Sequence, residues 1–91
     1  MLKLDISKQA SEFVTDLGSK QAGQIAKRIF ELLTNSRPND SIALKGLSGV
    51  YRIDQGEFRI GYSFDSEFLY VIAIAPRNDD DIYKLLKRRI K

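Results

Sequence analysis

The sequence predicts an α+β domain, in which an antiparallel sheet has a two-helix hairpin packed on one face and is followed by a C-terminal helix, in the order β-α-α-β-β-β-α. Two observations predict this class. The 91 residues suffice for a single small domain, and their hydrophobic share of 43% is close to that of a folded globular chain. Apolar residues recur with a helical period in the first third of the chain and with a period of two after residue 50.

One strand and two helices are predicted for the first half of the chain. Residues 1–6 alternate apolar and polar side chains, which is typical of a half-buried strand. Ser7 is a suitable N-cap for a helix that continues to about Leu17. Gly18 can end that helix, and the apolar spacing over 20–34 predicts a second one. Because the connection is short, we expect the two helices to form an antiparallel hairpin.

Three strands and a final helix are predicted for the second half. Segments rich in β-branched and aromatic residues place the strands at 50–54, 58–64 and 68–75. The gaps between them are short enough for β-hairpins. Pro76 ends the third strand because it has no N–H group for the ladder. The carboxylates at 79–81 suit the start of the last helix, where they cap free N–H groups and complement the helix dipole.

The composition excludes several kinds of chemistry. The chain has no His and no Cys, which removes ordinary zinc sites, disulfides and every Ser-His or Cys-His mechanism. Acid–base chemistry must therefore use Asp, Glu, Lys, Tyr or the groups of a partner. No apolar run approaches the roughly 18 residues that cross a bilayer, and the first residues do not resemble a signal peptide. We therefore expect a soluble cytoplasmic protein without a membrane partner.

The net charge of +3 has its origin at the C-terminal end of the sequence. Residues 84–91, the basic tail, contain five basic side chains and no acidic one. Such a segment suits contact with phosphates through counterion release and electrostatic steering. From composition, a solvated helix end whose cations complement the helix dipole is the simpler interpretation.

The first hairpin brings two arginines together if residues 55–56 form its turn. Arg52 then lies directly opposite Arg59, on the face of the sheet that points away from the core. Asp54 and Glu57 share that face. Opposed like charges cost stability, and two interpretations compete. One is a solvated face with weak diagonal ion pairs, and the other is an anion site where guanidinium groups hold a phosphate.

A third arginine favours the anion site. A three-residue second turn would place Arg59 opposite Ala73, and Arg77 has the same strand parity as Ala73. Small residues nearby leave space for a phosphodiester beside the arginines. Tyr83, on the last helix, is either a core aromatic or a residue that stacks on a base. Lys45 is either a solvated loop lysine or a phosphate contact.

The pattern of these residues resembles the toxins of the RelE/ParE superfamily, and the RelE-like mRNA interferases more closely than the ParE branch. The matching residues are Leu44-Lys45-Gly46-Leu47, Tyr51-Arg52-Ile53, Gly56-Glu57-Phe58-Arg59-Ile60-Gly61-Tyr62, the apolar strand 69–75, Arg77 and Tyr83. The resemblance covers residues 44–83 in motif and, through the order of elements, residues 1–91 as a single RelE-like toxin domain.

The resemblance implies the toxin of a toxin–antitoxin pair, an endoribonuclease that cleaves mRNA on the ribosome. In that family the ribose 2′-hydroxyl attacks the adjacent phosphate without a metal or cofactor, giving a cyclic phosphate and a free 5′-hydroxyl. By position, Arg52, Arg59 and Arg77 would hold the scissile phosphate, and Tyr83 would stack on or orient a base. Candidate RNA contacts are Lys45 and, in the basic tail, Lys84, Lys87 and Arg88. The expected protein partner is a cognate antitoxin, an acidic and partly disordered segment that masks the arginines in a heteromeric complex.

Asp54 departs from the family pattern. RelE-like toxins commonly carry two basic residues on this face of the strand, one of them the proposed base, and Asp54 occupies the second of those positions. Asp54 is therefore a candidate base, or a modulator that neutralises Arg59. Two alternatives to the interferase stay open. One is a ParE-like toxin that inhibits gyrase without nuclease activity, and the other is a degenerate toxin that acts only through antitoxin binding.

Overall fold

The computed structural model describes residues 1–77 and 81–89, and their elements follow the predicted order with one addition. The elements are β1 (Lys3–Ile6), α1 (Lys8–Thr15), α2 (Ser19–Thr34), β2 (Ile42–Ala43), β3 (Tyr51–Gln55), β4 (Phe58–Phe64), β5 (Phe68–Pro76) and α3 (Asp81–Arg89). The sequence did not predict β2, because two residues are too short to show an alternation. The predicted caps Asp79 and Asp80 lie outside the described residues. No helix in the described part of the chain is long and apolar enough to cross a membrane.

The strands form one sheet in the order β1-β5-β4-β3-β2. The strands from β3 to β5 pair in antiparallel fashion, as predicted, and the short β2 adds a further antiparallel pair with β3. β1 joins the other edge and runs parallel to β5, so the sheet as a whole is mixed. The first strand of the chain thus lies beside the last one, and both helices of the hairpin belong to the crossover between β1 and the antiparallel strands.

Side chains at the start of α1 tie this helix to β5. Ser7 is the N-cap, as predicted, and its hydroxyl accepts a hydrogen bond from the backbone N–H of Ala10 at 3.1 Å. The same hydroxyl donates to the carbonyl of Ile72 at 2.7 Å. The amide of Gln9 both donates to the Ile74 carbonyl and accepts from its N–H, at 2.8 and 3.0 Å. These contacts supply hydrogen-bond partners for the backbone groups of β5 that lie beyond the end of β1, and so protect this part of β5 from pairing with a strand of another chain.

Each face of the sheet carries a hydrophobic core. The larger core lies against α1 and α2, and its buried members are Ala10, Ile25, Ile29, Leu32, Leu33, Ile53, Ile60, Tyr62, Leu69, Val71 and Ile74. The helical hairpin therefore packs on one face, as predicted. The smaller core lies against α3 and the loop before β3, and its buried members are Leu44, Val50, Ala73, Ala75, Ile82 and Leu86. α3 therefore shares its face of the sheet with the outward-pointing residues of β3 and β4.

The predicted register of the first hairpin is wrong by two residues, whereas the predicted faces are correct. Asp54 pairs with Arg59 and Arg52 with Gly61, so the two arginines are not directly opposite each other. The turn consists of Gly56 and the next residue, rather than of residues 55–56. Gly56 has φ +60°, which the first position of a type II′ turn requires and which glycine adopts without strain. Because the slip is even, every side chain keeps its predicted face.

The predicted pairing of Arg59 with Ala73 is also wrong. Arg59 pairs with Ala75 for two reasons. The second turn has four residues instead of three, since Phe64 pairs with Leu69, and the β4–β5 register then shifts by one residue between Gly61 and Tyr62, which leaves Ile72 as an extra residue. The shift also changes which β5 side chains face the larger core, from odd-numbered to even-numbered positions. Ala73 and Ala75 lie on the α3 face for this reason.

Candidate functional site

Three neighbouring strands place four charged residues on the α3 face of the sheet. Arg52 and Asp54 belong to β3, Arg59 belongs to β4, and Arg77 directly follows β5. We call these four residues the arginine cluster. Arg52 and Asp54 are two positions apart and share a face, and the cross-strand pairing of Asp54 with Arg59 adds the third member. The prediction that Arg77 turns toward Arg59 is confirmed through their common neighbour Asp54.

Asp54 contacts all three arginines. Its Oδ1 accepts a hydrogen bond from Nε of Arg59 at 3.0 Å and lies 3.5 Å from Nη1 of Arg52. Its Oδ2 lies 3.8 Å from Nε of Arg77. Asp54 meets Arg52 along the same strand and Arg59 directly across the hairpin, so neither contact is one of the diagonal ion pairs that a solvated face would have. One carboxylate is thus shared by three guanidinium groups, and the cluster has a formal charge of +2.

The three arginines differ in exposure and in the hydrogen bonds that hold them. The side chains of Arg52 and Arg59 are each 18% exposed, whereas that of Arg77 is 54% exposed. The Nε of Arg52 is buried and has no hydrogen-bond partner, so it is an unsatisfied donor. Arg77 donates through Nη1 to the carbonyl of Gly56 at 3.1 Å. The turn between β3 and β4 therefore helps to hold the most exposed arginine.

An open cleft of about 750 Å³ adjoins the cluster. Its lining residues are Gly56, Glu57, Phe58, Arg59, Pro76 and Arg77. Two of the three arginines thus face the cleft, and Asp54 lies between them with 35% of its side chain exposed. The site is a cationic surface at the rim of an accessible cleft, which suits a ligand with an exposed negative group.

Tyr83 lies in the first turn of α3 and is half-buried against the smaller core. Ala75 of that core pairs with Arg59 across the sheet, so the core to which Tyr83 belongs borders the arginine cluster. The packing matches the default interpretation of Tyr83 as a core aromatic. Lys45 is exposed in the turn that precedes β3, where its charge is solvated.

Three basic residues in the described part of the tail, Lys84, Lys87 and Arg88, lie on different faces of α3. Lys84 and Arg88 line a groove between α3 and α1, together with Phe13. Lys87 is exposed one turn after Tyr83, on the side of the helix that Tyr83 occupies. Lys84 and Arg88 therefore belong to the groove beside α1, whereas Lys87 lies on the side of α3 that carries Tyr83.

Two glycines near the site have roles that differ from those expected from the sequence. Gly61 was expected, as a small residue, to leave space for a phosphodiester, and this is wrong because Leu86 fills that space. The carbonyl of Gly56 anchors Arg77, which depends on the hairpin register and leaves no sequence signal. Gly61 lies beneath Leu86, and a Cβ atom there would be 2.7 Å from Leu86 Cδ2. A glycine inside a strand is a known sign of close approach by another element, so this role was open to prediction.

Comparison with solved structures identifies the fold as that of RelE-type toxins, and no protein-family model and no curated protein matches the sequence. A double arginine-to-alanine variant of the Escherichia coli toxin RelE in its free state has a TM-score of 0.81 at 24% identity, over 97% of this chain and 96% of that one.

Complexes contain the same fold. The archaeal RelE–RelB complex from Pyrococcus horikoshii has a TM-score of 0.75 at 21% identity, over 87% of this chain and 98% of that one. The toxin–antitoxin complex RelBE2 from Mycobacterium tuberculosis has a TM-score of 0.71 at 15% identity, over 84% and 98%. Identities this low establish the fold, and the resemblance stated from the motif residues is confirmed at that level.

Proposed function

We propose that this protein is the toxin of a toxin–antitoxin pair and cleaves mRNA on the ribosome. The observation that carries the proposal is the gathering of Arg52, Arg59 and Arg77 around one point of the α3 face, beside an open cleft. The RelE-type fold supports it, because these arginines occupy the positions that the family motif assigns to phosphate binding. The antitoxin complexes formed by structural neighbours support a protein antitoxin as the partner.

The proposed reaction is an intramolecular transesterification. The ribose O2′ bonds to the adjacent phosphorus, the bond from phosphorus to O5′ breaks, and a cyclic phosphate and a 5′-hydroxyl remain. The 2′-hydroxyl loses a proton and O5′ gains one. Negative charge grows on the phosphoryl oxygens in the transition state, where fixed guanidinium donors stabilise it more than they stabilise the ground state. The +2 charge of the cluster is suited to that role.

The test is controlled induction in cells followed by transcript mapping. We expect new 5′ ends within translated messages for the wild-type chain, and about 10²–10³-fold less cleavage for Arg59→Ala or Arg77→Ala, the usual cost of removing one transition-state donor. Arg37→Ala is the matched control. Arg37 stacks on Tyr51, 4.2 Å from the ring centroid and on the larger-core side of the sheet, so its loss removes the same charge but no cluster member.

A different outcome separates this proposal from gyrase inhibition. Purified protein that blocks DNA supercoiling while transcripts in induced cells stay intact would identify the ParE-like activity instead. Growth arrest that is equally strong in the wild-type, Arg59→Ala and Arg77→Ala chains would show that the assigned site is wrong.

A degenerate toxin is the second candidate, and the contacts of Asp54 favour it. One carboxylate lies within 4 Å of a nitrogen of each arginine, which partly neutralises the cluster. A wild-type chain that cuts no transcript, beside an Asp54→Lys chain that does, would identify a toxin in which the site has been silenced and antitoxin binding remains.

A further inference from the structure

Asp54 occupies the place that an anionic ligand of the cluster would take. Its Oδ1 is shared by Arg59 and Arg52, and its Oδ2 faces Arg77. Both oxygens are therefore used, as they are when guanidinium groups bind a free carboxylate or phosphate. An oxyanion of a ligand and the carboxylate of Asp54 cannot both fill the same donors, because the donors converge on one point.

We propose that Asp54 is a built-in competitor for phosphate, so that a phosphate group binds the cluster by displacing this carboxylate. The inference rests on the proposed function in taking an RNA phosphodiester as the natural anion. Arg77 is the first donor to be transferred to the ligand, because its contact with Asp54 is the longest of the three, at 3.8 Å, and its side chain is the most exposed. Arg59, bonded at 3.0 Å, follows.

The surroundings of the cluster allow this exchange. The cleft that Arg59 and Arg77 line gives a phosphate access to both groups without movement of the sheet. The buried Nε of Arg52 has no hydrogen-bond partner, so the carboxylate of Asp54 leaves one donor of the cluster unsatisfied. Asp54 is 35% exposed, so its displaced carboxylate can be solvated rather than buried without a partner.

The experiment measures the affinity of the full chain for inorganic phosphate at constant ionic strength, since salt screens such contacts. We expect Asp54→Asn to bind phosphate about tenfold more tightly than the wild type, because one competing charge-assisted hydrogen bond is lost. Glu57→Gln is the matched control. Glu57 lines the same cleft but forms no ion pair with the three arginines in the described part of the chain. The affinity of the Glu57→Gln chain for phosphate should therefore differ from that of the wild type by less than about threefold.

A second measurement covers the folding of the variant. Without Asp54 the three guanidinium groups repel one another, so the Asp54→Asn chain should melt at a lower temperature than the wild type in chloride buffer. Phosphate should then raise its melting temperature more than that of the wild type, since a ligand that binds the folded state stabilises it by mass action. A variant that is unfolded in chloride should fold when phosphate is added.

Three results would overturn the competitor role: equal or weaker phosphate binding by Asp54→Asn, an equal gain for Glu57→Gln, or a variant that stays unfolded in saturating phosphate. These readouts need neither ribosome nor RNA. Absence of cleavage in cells together with tighter phosphate binding by Asp54→Asn would therefore reject the proposed function and keep the competitor. Transcript cleavage by the wild type, together with phosphate binding by Asp54→Asn that equals that of the wild type, would keep the proposed function and reject the competitor role of Asp54.

Discussion

Replacing Gly61 by alanine should disturb the packing of α3 on the sheet and lower the free energy of unfolding. An added Cβ would lie 2.7 and 2.8 Å from the two terminal carbons of Leu86 and 3.1 Å from its Cγ, well inside the roughly 3.5–4.0 Å of an ordinary carbon contact. Leu86 is fully buried and has no open side to turn to. Overpacking of this kind typically costs about 1–3 kcal/mol.

The magnitude can be tested with a double-mutant cycle. Leu86→Ala alone should cost about 2–5 kcal/mol, the usual range for a buried leucine that leaves a cavity. The double variant should be more stable than the sum of the two losses predicts, by about 1 kcal/mol or more, because the new methyl of Gly61→Ala fills space that Leu86→Ala vacates. Urea unfolding followed by circular dichroism gives each free energy.

The result that would refute the close packing is strict additivity, or a Gly61→Ala chain as stable as the wild type. A loss of 2 kcal/mol corresponds to a fall in Tm of about 8–16 °C for a chain of this size, which is easily measured. Gly23→Ala is the control. Gly23 lies in α2, and a Cβ atom added there would meet no neighbouring element within 4 Å, so this change should stabilise the chain by about 0.5–1 kcal/mol.

Three further predictions concern single side chains. Ser7→Ala should lower the free energy of unfolding by about 1–2 kcal/mol, measured by urea titration, because it removes an N-cap and a bond to β5. Tyr62→Phe should cost about 1–2 kcal/mol in the same assay, because the Ser36 carbonyl loses its 2.7 Å partner. Hydrogen bonds from backbone N–H groups and from the Tyr70 hydroxyl lower the pKa of Asp65 below its usual 3.8. An NMR titration should therefore find a low midpoint for the Asp65 carboxyl, and a higher one in the Tyr70→Phe variant. The stability that these bonds supply is present above pH 3.8 and should be lost as the pH falls through the pKa of Asp65 in the folded state.

The elements and the faces of this protein are predictable from its sequence. Apolar spacing located both helices of the hairpin, Ser7 marked the start of the first, and β4 was predicted with its observed bounds. The convergence of the three arginines on one side was also predicted correctly. These successes share a cause, since the period of a helix or strand is a property of neighbouring residues and needs no knowledge of distant ones.

The pairing partners were not predictable in the same way. Whether Gln55 or Gly56 begins the turn changes each partner on the opposite strand by two residues, and both choices leave the hydrophobic pattern satisfied. The sequence also gives no sign of the extra residue Ile72 in β5, because both faces of the sheet are covered and an apolar side chain fits either of them. The parallel pairing of β1 with β5 joins the two ends of the fold and leaves no local signal.

By itself the sequence determined that this chain folds as a small α+β domain whose arginines share one face, because side-chain alternation is local and an even slip in register does not alter it. The tertiary structure decided where those arginines meet. It moved Arg52 away from Arg59, placed Asp54 between the guanidinium groups, and set Arg77 on the carbonyl of Gly56. These contacts depend on distances between strands that only the folded chain brings together, and they gather three guanidinium groups around one carboxylate.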